Sequence, residues 1–87
     1  MEISKMLTVS TAHISEETAE LLDGDIAIVV YGKGDYGWFI HIPDEPEEYD
    51  IPQDLLKLMN FAKDLDCEWL CLDRDGEELD YLETYEW

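Results

Sequence analysis

The stretch "DIPQDLLKLMNFAKDLDCEWLCL" (residues 50–72) reads first as a helix and then, after a short turn, as a strand. Leu55, Leu58, Met59, Ala62 and Leu65 recur at the spacing of one helical face, while Asp54, Lys57 and Lys63 fall on the water-facing positions. Asp50 and Gln53 fit a capping box, and Pro52 lies within the first turn, where its missing N–H is harmless. Residues 67–72, "CEWLCL", are apolar on both faces, as a central strand requires.

Working outward, residues 5–9 ("KMLTV") read as a short strand. Ser15 is the expected N-cap of a first helix, with Glu16 and Glu17 where the helix dipole favours acids. Ile14, Thr18, Leu21 and Leu22 form its inward stripe, and Gly24 ends it. Residues 26–31 and 36–42 are two β-branched and aromatic runs joined by the turn "GKGD", with Pro43 stopping the second. The order is βαββαβ. Two amphipathic helices cannot cover each other and both sheet faces, so the expectation is an α+β fold of ferredoxin-like order. In it both helices pack on one face of a small antiparallel sheet of four to five strands. The opposite face would be solvated or used. Residues 1–87 form a single domain, with the acidic-aromatic tail 73–87 docked as an edge strand or an irregular segment.

The 87 residues carry 23 Asp and Glu against five Lys and Arg, a formal charge of -18. Ten aromatic residues (three Trp, five Tyr, two Phe) argue against disorder and for a real core. Such charge destabilises the compact state by self-repulsion. It repels nucleic acid and anionic lipid, and it favours basic proteins or multivalent cations as partners. Two cysteines make no disulfide framework, and neither a signal peptide nor a membrane span is legible, so the expected location is the cytoplasm.

Four patterns that resemble chemistry fail on their context. "GKGDYG" (Gly32, Gly34, Gly37) matches a nucleotide loop, but a strand follows it where the pyrophosphate needs a helix N-terminus. Cys67 and Cys71, with His13 and His41, suggest zinc only on a helix; on a strand the cysteines lie about 13 Å apart. "DRDGEELD" (Asp73, Asp75, Glu77, Glu78, Asp80) brings its glycine two places too early for a calcium loop. Ser10, Thr11 and His13 lack a nucleophile elbow, and His13 beside a helix start reads as a structural or capping residue. No catalytic residue, metal site or cofactor is expected.

The acidic surface remains. Its patches are Glu16, Glu17 and Glu20; the loop Asp44, Glu45, Glu47, Glu48 and Asp50; and the tail Asp73, Asp75, Glu77, Glu78, Asp80, Glu83 and Glu86. Tyr81, Tyr85 and Trp87 interleave the tail acids as aromatic anchors within a polar rim, suited to a groove lined by Lys and Arg. They would serve equally to cover the sheet edge. A chain of this length has a diameter of roughly 30 Å. Roughly 18 phosphates of B-DNA occupy that distance, so the domain carries about the charge of the duplex it could replace.

At "LTVSTAHISEETAELLD", "YGWFIHIP", "DLLKLMNFAKDLDCEWLCLDRDGE" and "TYEW", the chain resembles a family of small acidic uncharacterised proteins of phages, plasmids and other bacterial mobile elements. In size and charge it is also similar to anti-CRISPR and anti-restriction proteins that imitate DNA. The second likeness implies a class of partner, a basic CRISPR effector or restriction enzyme. The expectation is a non-enzymatic DNA-mimicking inhibitor. Its alternatives are a metal-binding accessory protein, or a small soluble adaptor that pairs with its own copy through the open sheet face.

Overall fold

The computed structural model describes residues 3–24, 26, 28–34 and 36–86. In chain order the elements are β1 (Met6–Ser10), a 3₁₀ turn (Thr11–His13), α1 (Glu16–Leu22), β2 (Val30–Gly32) and β3 (Gly37–His41). A second 3₁₀ turn (Pro46–Glu48), α2 (Gln53–Asp64) and β4 (Trp69–Asp73) follow. The fold is α+β, with two helices and a four-stranded sheet in the order β1-β4-β3-β2.

That sheet is mixed, which corrects the antiparallel, ferredoxin-like expectation. β4 pairs antiparallel with β3 on one side and parallel with β1 on the other. A ferredoxin-like sheet places β1 inside, between β3 and β4; here β4 takes the inside place and β1 is an edge strand parallel to it. Side-chain alternation has period two in parallel and antiparallel strands alike, so the pattern of residues 5–9 carries no information about its partner. The central place read for β4 does hold, and Leu70, Cys71 and Leu72 are all buried.

The register puts Leu7, Leu70, Ile40 and Val30 on one rung and Val9, Leu72 and Trp38 on the next but one, facing the same way. These residues share one core cluster with Ile14, Ala19 and Leu22 and with Leu55, Leu58, Met59 and Ala62 of α2. Leu55, Leu70 and Leu72 are wholly buried, each contributing about 1.5–3 kcal/mol by removal from water.

Helix ends depart from expectation in instructive ways. The Ser15 hydroxyl caps α1, accepting from Thr18 N–H at 3.3 Å. No capping box forms on α2: its N-cap is Pro52 (φ -56°, ψ 147°), so the helix starts at Gln53 and leaves Asp50 exposed, two residues before the cap. Asp54 does not simply face water. It accepts from Ser15 N–H at 2.7 Å and Thr18 Oγ1 at 2.8 Å, tying the start of α2 to the start of α1. At the other end of α2, Asp66 N–H reaches Lys63 O and Cys67 N–H reaches Ala62 O, both at 2.9 Å. This is a Schellman motif, with Asp66 at φ 61° where glycine is usual. Leu65 lies past the last turn and is 44% exposed, so the inward stripe stops at Ala62. In α1, Ala19 takes the buried position expected of Leu21.

The glycine-rich segment is a hairpin turn. Lys33 N–H bonds Gly37 O at 2.9 Å, and Gly34 has φ 61°. Gly37, at φ 149°, approaches β4 so closely that a Cβ there would lie 1.7 Å from Leu72 O. Only glycine fits. β2 is shorter than the run 26–31: Ile26 and Ile28 instead pack partly buried against the core.

Candidate partner-binding surface

The acidic tail is held by a buried histidine. His13, in the 3₁₀ turn after β1, is 3% exposed and uses both ring nitrogens on tail backbone. Leu79 N–H donates to Nε2 at 2.9 Å, so the neutral ring carries its proton on Nδ1 and donates it to Glu83 C=O at 2.8 Å. Tyr85 N–H bonds Ala12 O at 2.7 Å, and Ser10 N–H bonds Glu77 O at 2.9 Å. Leu79 and Leu82 turn inward against the core, whereas Asp75, Glu77, Glu78, Asp80, Glu83 and Glu86 are exposed. Of the two alternatives for the tail, the described residues adopt the docked irregular one. The partner of His13 lies 70 residues away. Its place beside a helix start marked His13 as a structural or capping residue, but not what it would hold.

The tail aromatics differ among themselves. Tyr81 meets Phe61 of α2 with ring centroids 5.5 Å apart and stays 69% exposed. Tyr85 is half-buried and its hydroxyl donates to Glu83 Oε2 at 3.3 Å; burial, then the Glu83 charge, push its phenol up. Trp87 lies outside the described residues.

Asp73 stands apart from the other tail acids. It forms the only ion pair among the described residues, with Lys33, and it also accepts from Asp75 N–H at 2.9 Å. The Lys33 bond, then the Asp75 amide, hold the Asp73 carboxyl below its usual range. The same bond raises Lys33. Three other cations meet carbonyls or rings. Lys5 reaches Leu65 O at 2.8 Å, Lys63 reaches Asp44 O, and Arg74 lies over the Tyr36 ring at 5.5 Å.

In the loop after β3, Asp44, Glu45, Glu47, Glu48 and Asp50 are all exposed. Glu48 N–H bonds Glu45 O and Tyr49 N–H bonds Pro46 O, both at 3.1 Å, closing the 3₁₀ turn over the buried Pro46. Because β3 and β4 run antiparallel, with His41 opposite Trp69, the loop leaves the sheet at the end where β4 begins. The tail leaves at the end where β4 finishes. The two acidic patches therefore start at opposite ends of a molecule measuring 38 × 27 × 25 Å.

The sheet face turned away from the core carries Met6, Thr8, Tyr31, Phe39, His41, Trp69 and Cys71 by alternation from Leu70 and Leu72. Trp69 meets Tyr31 at 6.1 Å and His41 edge-on at 5.1 Å. Tyr31 is 57% and Met6 45% exposed. Cys71 is buried, which pushes its thiol up. Cys67 belongs to the core cluster on the other side, so the two cysteines do not converge. Among the described residues no group of three or more His, Cys, Asp or Glu could hold a metal ion. Ser10 Oγ accepts from Ala12 N–H at 3.0 Å, and both His13 nitrogens are taken by backbone, so these two make no nucleophile–base pair. Among the described residues no helix is long and apolar enough to cross a membrane.

Nothing among the curated proteins and nothing among the solved structures matches the chain. Residues 6–87, from the start of β1 onward, match the model of the C-terminal domain of a family of unknown function, DUF5983, and the chain belongs to that family.

Proposed function

We propose that this protein is a non-enzymatic acidic inhibitor that offers duplex-like charge to a basic nucleic-acid-binding protein. In this reading the target is a defence protein of the CRISPR effector or restriction enzyme type, met in the cytoplasm of a bacterium. The observation that carries the reading is the mismatch between 23 acidic residues and a single ion pair among the described residues. Carboxylates left unpaired and exposed contribute little to folding and much to long-range attraction. In the supporting architecture, both helices pack on the Leu70 and Leu72 face in βαββαβ order, and the loop and tail acids leave the sheet at opposite ends.

The test is inhibition of purified restriction endonucleases and CRISPR effectors, with affinity measured against salt. Affinity should fall steeply as salt rises, and the variant E47K/E48K/E77K/E83K should lose inhibition. If that variant inhibits as well as the parent, the charge is not the working part.

The exposed Met6 and Tyr31 beside Trp69 favour a second reading, an adaptor that pairs with its own copy through the open sheet face. Native mass at rising salt separates the two, because an apolar dimer persists where charge-driven binding fails.

A further inference from the structure

The acids of the 44–50 loop do more than decorate the surface: three of them wall a cleft of about 530 Å³. Its floor is largely apolar, built from Ile28, Val29 and Pro43 with His41 beside them, and Val29 is 50% exposed. Its rim is Asp44, Glu45 and Glu48, with the Tyr49 ring beside them and 43% exposed. Residues three apart eclipse in a 3₁₀ turn, so the bond from Glu48 N–H to Glu45 O brings these two acids to the same side.

An apolar floor beneath three negative charges has few complementary ligands. Phosphates and nucleic acid are repelled. A bare divalent ion wants oxygen on all sides and gains nothing from Val29 and Ile28. A long cationic side chain matches both halves, with an aliphatic stem for the floor and a charged head for the rim. Arginine fits best, because its planar fork pairs with carboxylates and stacks on a tyrosine. The chain already draws one of its own cations to this rim, since Lys63 Nζ donates to the Asp44 carbonyl.

We propose that this cleft is a receptor for an arginine side chain of a basic protein partner, with Val29 and Pro43 seating the stem and Glu45 and Glu48 holding the guanidinium. It deepens the function proposed above, and rests on that reading for the source of the arginine. It adds that recognition is local, with one end of the sheet gripping a side chain and the remaining acids supplying attraction.

The experiment titrates a fluorescein-labelled peptide of alternating glycine and arginine, at moderate salt, into the parent and two variants of equal charge. E45Q/E48Q should weaken binding about tenfold. E77Q/E86Q, in the tail, should weaken it no more than about twofold. Nuclear Overhauser contacts from arginine methylene protons to the Val29 methyls should appear in the parent. Equal losses in both variants, or no contact at Val29, would overturn the cleft while leaving a charge-driven inhibitor intact. No binding to the parent at low salt would remove both. Calcium alone moving the amide resonances of Glu45 and Glu48 as the peptide does would overturn the proposal in favour of a cation site.

Discussion

The acidic loop and the acidic tail have similar composition and opposite foundations. The loop is a self-closed 3₁₀ turn resting on one buried proline, and among the described residues its acid side chains make no ion pair or hydrogen bond. The tail is stitched to the first third of the chain by His13, Ala12 and Ser10, with Leu79 and Leu82 turned inward. Loop charge therefore holds no part of the fold together, whereas in the tail the charge is exposed on a backbone that the fold needs.

The largest break in this comparison should come from His13→Ala. It leaves Leu79 N–H and Glu83 C=O without partners and opens a void, at a cost of about 2–4 kcal/mol in urea denaturation. Hydrogen exchange should quicken at Leu79 and Tyr85 and stay slow at Leu70. Next, Leu82→Ala should cost about 1–2 kcal/mol, because its side chain is only partly withdrawn from water. Unchanged stability in either variant would mean that the tail rides on the domain instead of belonging to it.

Acids can be set against one another as well. Asp54→Ala removes the acceptor of Ser15 N–H and Thr18 Oγ1 and should cost about 1–3 kcal/mol. E47K/E48K in the loop should shift stability by no more than about 0.5 kcal/mol, measured by the same denaturation. A large loss from the loop variant would erase the distinction drawn here.

The smallest effect concerns the partly exposed Lys33–Asp73 pair. Its carboxyl is lowered, so its contribution is present above the ordinary carboxylate range and lost as pH falls through the lowered folded value. Its ammonium is raised, so the same pair weakens at the alkaline end, as pH rises through the raised folded value. Lys33→Met should lower the neutral plateau slightly and flatten both limbs, leaving stability at the acid and alkaline extremes nearly unchanged.

Much of the local structure was legible. The Ser15 cap, both helices, the glycine hairpin and the central apolar strand follow from residues within a few places of each other. Two of the local readings that failed did so for local reasons. Pro52 took the cap position from Asp50, and Leu65 fell just beyond the end of α2. The candidate surface was legible as charge but not as shape: nothing in "DEPEEYD" says that Glu45 and Glu48 line one cleft with Val29.

The residues alone determined the charge of -18, the amphipathic helices and the apolar strand that could only be central. Tertiary structure decided that β1 lies parallel to β4, that the tail closes on His13, and that the loop acids wall a cleft. The physical reason is separation along the chain. Caps and periodicity are settled by neighbours, whereas strand partners and tail anchors are chosen among groups 60 to 70 residues apart, where several pairings satisfy the same pattern and packing selects one.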